Sequence, residues 1–178
     1  MKEMSAEHAR VFVHDYLLGV LKGESRTTIS VLAAVPGVHL DYRPDPWAKT
    51  ANELLRHIAS ADNFFLRSVA DGAFVPGSVK IPEEVTTPQQ VVEWYAAEHA
   101  KNLEAVAGLP AEDLAKMVNF RGMFERQAFT FLEMGLLHTV HHRGQLSTYL
   151  RAMGGKVPAI YGESYDSAEA KRAAQAVA

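Results

Sequence analysis

The sequence has 178 residues with a formal net charge of −3, eight histidines and no cysteine. The lack of cysteine excludes disulfide scaffolds, catalysis by a protein thiol and thiolate metal sites, so any metal must be bound by nitrogen or oxygen atoms. The slightly acidic charge argues against a nucleic-acid partner, which requires clustered lysine and arginine, and the lack of an apolar run of about 18 residues argues against a membrane span.

Four long stretches of the sequence show the apolar spacing of amphipathic helices. Two of them begin with capping residues, since Thr50 and Glu53 match a capping box and Thr87 precedes a proline at the first helical position. A glycine stands just beyond the end of each stretch, and Gly23 is a potential kink within the first. The predicted helices run, in chain order, from about Ser5 to Val35, from Thr50 to Ala70, from Thr87 to Ala107 and from Ala128 to Met153.

The segments between the helices are predicted to be loops. Residues 36–49 hold three prolines, and residues 109–127 form a connection with a short helical turn or an extended piece. Residues 157–162 are predicted to be extended and packed, and a short helix is predicted from Ser167. Four amphipathic segments without strand alternation predict an all-α fold, a four-helix bundle with long connections of which at least one crosses the bundle end. We expect residues 1–178 to form a single domain.

The fourth predicted helix holds three histidines within five residues, His138, His141 and His142. His138 and His142 lie about 40° apart around a helix, so both imidazoles can reach one ion. His138 pairs less comfortably with His141, and a third ligand must come from another helix. His57, midway along the second predicted helix, fits that need best. The spacing alone leaves open a metal site, a surface cluster and a purely structural bundle whose histidines are satisfied by internal hydrogen bonds.

Other sequence patterns narrow the chemistry. His14 and His99 also fall on apolar stripes, but a lone histidine there is usually a hydrogen-bonded core residue. The two Glu-x-x-His motifs of a diiron bundle are absent, and Thr139 after His138 excludes His-Glu-x-x-His. Phosphate-binding glycine loops and Gly-x-Ser-x-Gly are absent as well. The charged N-terminal segment does not resemble a secretory signal, so we expect a soluble, cytoplasmic protein.

Two blocks of the sequence carry a family resemblance. Residues 138–154, His-Thr-Val-His-His-Arg-Gly-Gln-Leu-Ser-Thr-Tyr-Leu-Arg-Ala-Met-Gly, followed by Val-Pro-Ala-Ile-Tyr-Gly at 157–162, resemble the C-terminal signature of the DinB/YfiT-like superfamily. This is the damage-inducible four-helix family and not the DNA polymerase of the same name. The pattern Trp47-x-x-Thr50-x-x-Glu53-x-x-x-His57 is similar to its second-helix motif, and the resemblance covers nearly the whole chain.

The resemblance implies a DinB-like bundle whose divalent metal is held by one histidine of the second helix and two of the fourth. Those positions are here His57, His138 and His142. It further implies zinc or nickel as the ion, a homodimer, and a small-molecule substrate. Some relatives transfer low-molecular-weight thiols or isomerise thiol-dependent substrates, and many have no established activity. His141 remains open as a surface residue, an alternative ligand or a proton carrier.

We therefore expect a metal-dependent enzyme, of the thiol S-transferase or hydrolase type, whose catalytic residues are unknown. An ion held by three neutral imidazoles keeps open positions, where it lowers the pKa of a bound water toward about 7 or binds a thiol as thiolate. The thiol must come from outside because the chain has no cysteine. The alternative is a non-catalytic metal-binding or stress-response module in which the metal is structural.

Four further residues receive roles beside this site. Gln145 lies near the His138 face and is predicted to hydrogen-bond a ligand or substrate. Glu53 is a candidate for the same role, although its place in the capping box explains it more simply. Arg143 is predicted to form a structural salt bridge, and Tyr149 to pack with its hydroxyl group satisfied.

Overall fold

The computed structural model describes residues 3–177 and begins with a long helical rod of three segments. These are α1 (Ala6–Val11), a π-helical segment (Phe12–Leu17) and α2 (Leu18–Ala33). The predicted first helix is thus confirmed. Its irregular turn lies at residues 12–17, whereas Gly23, the predicted kink, lies inside regular α-helix.

The remaining long helices begin and end close to their predicted bounds. Thr50 and Glu53 exchange side-chain-to-backbone hydrogen bonds, as do Thr87 and Gln90, so both starts are capping boxes. Gly72 ends the second long helix at φ 67°, a left-handed conformation that glycine adopts without strain. The helices that follow the rod are α3 (Ala51–Asp71), α4 (Pro88–Ala107), the short α5 (Ala111–Ala115), α6 (Ala128–Ala152) and α7 (Tyr165–Val177).

The connection between α4 and α6 contains both of the elements considered for it. After α5, strands β1 (Met117–Phe120) and β2 (Phe124–Gln127) pair antiparallel, with Met117 opposite Gln127. Each strand has only four residues, which is too short for an alternating pattern to stand out in the sequence. Residues 157–162, predicted to be extended and packed, form bends and irregular backbone and are only partly buried.

The helices pack as a four-helix bundle, which confirms the predicted all-α fold. α3 contacts α4 and α6, and α2 contacts the same two helices from the other side. α2 and α3 are therefore diagonal neighbours, and so are α4 and α6. The connections 34–50 and 108–127 each join a diagonal pair and so cross a bundle end, as predicted for at least one connection. No helix within residues 3–177 is both long and apolar enough to span a bilayer.

A layer of buried polar side chains crosses the middle of the bundle and separates two apolar core clusters. Its centre is the Asp62 carboxylate, which accepts hydrogen bonds from the Tyr95 hydroxyl at 2.7 Å and the Thr139 hydroxyl at 3.0 Å. Most of these groups are hydrogen-bonded to one another or to the backbone, which makes their burial tolerable. We call this set the polar layer, and it comprises Ser25, Thr28, Asp62, Asn63, His99, Asn102, Thr139 and Arg143.

Candidate metal site

Three histidine side chains from two helices converge beside the polar layer. His57 extends from α3, and His138 and His142 extend from α6. One ring nitrogen of each lies within 4.8 Å of those of the other two, and the ring centroids are 4.4 to 5.0 Å apart. The structure thus brings together the three residues that the sequence singled out. The His141 ring is exposed and lies 4.9 Å from the His142 ring, outside this cluster. We call the cluster the histidine triad.

A close contact between α3 and α6 places the two halves of the triad within reach of each other. Gly135 precedes His138 by three residues and lies against Phe65 of α3. A Cβ atom at Gly135 would come within 2.6 Å of Phe65 Cβ, a distance that real Cβ atoms do not show. Only glycine therefore allows the helices to approach this closely. Sequence reasoning missed Gly135, because the distance between two helices is not encoded in spacing along either one.

Burial and repulsion by neighbouring imidazoles keep His57 and His138 neutral. Burial lowers the pKa of His138 to about 4, with smaller contributions from His142, His57 and His141. Burial also lowers the pKa of His57, assisted by His142 and Lys49. Neutral imidazoles have a lone pair to offer, so these two side chains are in the form that binds a metal cation at neutral pH.

The hydrogen bonds around the triad leave ring nitrogens available. His142 Nδ1 donates to Gln145 Oε1 at 2.7 Å, which leaves the lone pair on His142 Nε2. His138 Nδ1 is buried and has no hydrogen-bond partner among residues 3–177. The hydrogen bond predicted for Gln145 is formed with His142, and it holds the tautomer that would leave Nε2 free to coordinate an ion.

The structure also decides the roles of Glu53 and Tyr149. Glu53 accepts hydrogen bonds from the backbone N–H and hydroxyl of Thr50, which lower its pKa, so the capping explanation is confirmed. Within residues 3–177 it forms no hydrogen bond with the triad. Tyr149 is buried, its ring packs edge-on against Tyr42, and its hydroxyl faces the carbonyl oxygen of Lys49 at 3.4 Å. The predicted packing role of Tyr149 is confirmed.

Arg143 lies on the opposite side of α6 from the hollows and is fully buried. Its guanidinium forms an ion pair with Glu24 at 2.7 Å, and it donates to the Thr28 hydroxyl at 3.1 Å and the Tyr161 hydroxyl at 2.6 Å. The predicted structural salt bridge is confirmed. These contacts tie α6 to α2 and to the segment after α6.

The other two histidines on apolar stripes are less well satisfied than expected. His99 is a core residue whose Nε2 lies 3.6 Å from Asp62 Oδ2, and His14 is half-buried. Neither ring makes a hydrogen bond to the described part of the chain, and His14 Nε2 is fully enclosed. The expected hydrogen bonds are therefore missing at both positions.

Two open hollows flank the triad. A hollow of about 550 Å³ adjoins His138, and one of about 360 Å³ adjoins His57. A small molecule can therefore approach the triad from either direction. The first hollow is lined by Arg126, Thr130, Glu133, Met134, Leu137, His138 and His141, and the second by Arg56, His57, Ser60, Val79, Lys80 and Ile81.

Comparison with known proteins places this fold and triad in context. The model of the DinB superfamily matches residues 21–146, a range that contains all three triad histidines. The uncharacterized protein YjoA of Bacillus subtilis (strain 168) is 27% identical over 118 residues, which are 65% of this chain and 75% of YjoA.

Two crystal structures of DinB-like proteins share the fold. One is YjoA from Bacillus subtilis and the other comes from Bacillus cereus ATCC 10987, and each superposes with a TM-score of 0.68. Sequence identity is 20% and 22%, and the matches cover 83% of this chain and 99% and 97% of the other chains. At this identity the likeness establishes the fold alone.

Proposed function

The chain belongs to the DinB superfamily, and from this premise we propose that His57, His138 and His142 bind a divalent metal ion that serves catalysis of the thiol S-transferase or hydrolase type. The observation that carries the proposal is the convergence of three imidazole nitrogens from two helices within 4.8 Å. Two of these side chains are held neutral by burial, and the third has its tautomer set by Gln145.

The three imidazole nitrogens suit a divalent ion of intermediate softness that keeps coordination positions open for further ligands. Imidazole nitrogens are common ligands of zinc and nickel, and an all-nitrogen set without carboxylates does not favour magnesium or calcium. Three protein ligands are typical of catalytic zinc sites, in which the remaining position is left to water or substrate. The half-buried triad with a hollow on each side fits an open site better than a closed structural one.

An ion held there would supply a Lewis acid that lowers the pKa of a coordinated water or thiol, so that either becomes a nucleophile at neutral pH. In a transferase reaction, the sulfur of an external thiol forms a bond to an electrophilic carbon, a leaving group departs with its electron pair, and the thiol proton passes to solvent. The external source is required because the chain has no cysteine. The hollows beside His138 and His57 offer places for the thiol and the electrophile.

Metal analysis tests the binding half of the proposal. Protein is prepared without chelator and loaded with zinc or nickel. Inductively coupled plasma mass spectrometry is then expected to show about one ion per chain. His57→Ala, His138→Ala and His142→Ala are each expected to reduce this to a small fraction. His8→Ala, which removes an exposed histidine outside the triad, should keep the ion. Equal metal content in all four variants would contradict the assignment.

Turnover assays test the catalytic half. Metal-loaded protein, protein stripped with EDTA and His138→Ala are compared with glutathione and 1-chloro-2,4-dinitrobenzene for thiol transfer, and with p-nitrophenyl acetate for hydrolysis. We expect turnover with one substrate class that is lost on stripping and restored by the metal. Metal binding without any metal-dependent turnover would favour the alternative, a module in which the ion ties α3 to α6. The homodimer implied by the family resemblance stays a prediction.

A further inference from the structure

A third hollow, also of about 550 Å³, lies in a groove between α2 and α4. No part of the histidine triad lines it. We propose that this groove binds an amphiphilic carboxylate, a molecule with an apolar body and one carboxylate group. Because α2 lies diagonally across from α3, and α4 from α6, the groove is on the opposite side of the bundle from the triad. We call it the α2–α4 groove.

The shape and surface of the groove suit an apolar body. Its volume falls in the range of small-molecule sites, which are mostly apolar with a few polar groups. Several wall residues are alanines, which leave room that larger side chains would fill. Removing the exposed apolar walls from water favours an apolar occupant. The apolar lining consists of Leu18, Ile29, Ala96, Ala100, Leu103 and Ala107.

The charges along the groove suit one carboxylate. Lys22 and Arg26 both line it from α2, and their spacing of four residues places them on the same side of that helix. Neither side chain has a carboxylate within ion-pair distance among residues 3–177, although Glu104 lines the facing wall. Two cations on one wall therefore face a single acidic group on the other, which leaves a net positive charge for an anionic head group.

The polar layer reaches the wall of the groove at His99. This side chain lines the groove and is 4% exposed, and its Nε2 lies 3.6 Å from the Asp62 carboxylate. Burial lowers its pKa, while Asp62 raises it, so the ring is neutral at neutral pH. A ligand in the groove would therefore lie against a buried neutral ring as well as beside the two cations.

A titration with two matched ligands tests the proposal. Decanoate and decanol have the same chain length and differ in the carboxylate, so calorimetry on each reports the contribution of the charge. We expect decanoate to bind about tenfold more tightly than decanol, which corresponds to about 1.4 kcal/mol. In the double variant Lys22→Gln/Arg26→Gln, the ratio of the affinity for decanoate to that for decanol should fall close to one. Lys101→Gln, which removes an exposed charge of α4 outside the groove, should keep it.

A second pair of variants tests the groove without changing charge. Ala100→Phe fills the groove and is expected to abolish decanoate binding, whereas Ala97→Phe on the exposed side of α4 should leave it unchanged. Circular dichroism and thermal unfolding establish that each variant is folded. The nuclear magnetic resonance signal of the His99 ring should shift on addition of decanoate to the unchanged protein.

Several outcomes would overturn the proposal. Equal affinity for decanoate and decanol would refute the role of Lys22 and Arg26, and unchanged binding in Ala100→Phe would refute the location. A dimer in light scattering that Ala100→Phe dissociates, together with no decanoate binding, would assign the groove to a second copy of the chain. Decanoate binding should be the same in His138→Ala, so failure here is distinguishable from failure of the metal proposal.

Discussion

Helix α6 presents two pairs of polar residues with the same spacing and opposite character. His138 and His142 are four residues apart, and so are Thr139 and Arg143, one position further along. The first pair is half-buried beside the hollows and includes a ring nitrogen without a partner. The second pair is 2% and 1% exposed, and both side chains are hydrogen-bonded. A single helix thus carries an open polar site and a closed one.

The difference between the two pairs lies in how far their hydrogen bonds are satisfied by the protein. The Arg143 guanidinium is surrounded by Glu24, Thr28 and Tyr161, so its buried charge is compensated. No carboxylate within residues 3–177 lies at ion-pair distance from a triad imidazole, and burial keeps His138 and His57 neutral. A closed polar group stabilises one arrangement of helices, whereas an open one is available to a ligand.

The largest expected effect is on the closed pair. Arg143→Ala removes the ion-pair partner of the largely buried Glu24 carboxylate and three donated hydrogen bonds, so we expect the free energy of unfolding to fall by about 3 kcal/mol. Urea unfolding measures this loss. Arg151→Ala, on the same helix, removes an arginine that is 57% exposed and paired with Asp166, and should cost less than about 1 kcal/mol. Equal losses for both variants would remove the distinction between the closed pair and the surface.

The next test concerns the contact between Gly135 and Phe65, which positions His138 and His142. Gly135→Ala forces a Cβ atom against Phe65, so we expect a loss of about 1–3 kcal/mol in unfolding free energy and weaker zinc binding as α3 and α6 separate. Gly144→Ala is the matched control, since a Cβ there meets no neighbour and alanine stabilises helices by up to about 1 kcal/mol. If both alanine variants were equally stable and bound zinc equally, the close approach would not matter.

A smaller effect is expected at the hydrogen bond to His142. Gln145→Ala removes the acceptor for His142 Nδ1–H, and loss of such a partner typically lowers metal affinity by about tenfold or more. Competition titration with a zinc-binding dye measures the change. Gln145→Glu keeps an oxygen acceptor and should retain the affinity. Stability in the presence of chelator should be unaffected by either change, because Gln145 is exposed.

The smallest effect concerns acid pH in metal-free protein. His138 has an ordinary pKa of 6.5 when unfolded and about 4 when folded, so the unfolded state binds the extra proton between these values. The contribution of His138 to stability should therefore be constant above pH 6.5 and fall as the pH drops from 6.5 to about 4. The loss is about 1 kcal/mol, since solvent screens a half-exposed group. Urea unfolding at pH 7 and pH 5 measures it, and His138→Ala should reduce the slope.

Much of the fold was predictable because helix ends are marked by local chemistry. The capping boxes at Thr50 and Thr87 and the glycine at position 72 specify their own hydrogen bonds and backbone conformation within a few residues. An extended piece was considered for the connection that holds β1 and β2, but their pairing was not predicted, since a four-residue strand is defined by its partner and not by its own pattern. The prediction of a single domain over residues 1–178 extends to positions 1, 2 and 178, which lie outside the described residues, and stays a prediction.

The sequence by itself determined the family, the four long helices and the shared face of His138 and His142, because each depends on a motif or on the geometry of one helix. Only the tertiary structure decided that His57 meets them, that Gly135 permits the approach, and that Asp62 and Thr139 join a polar layer. It also decided that His99 lines a groove on the far side of the bundle. These features depend on distances and angles between helices, which are set by the packing of all the side chains together.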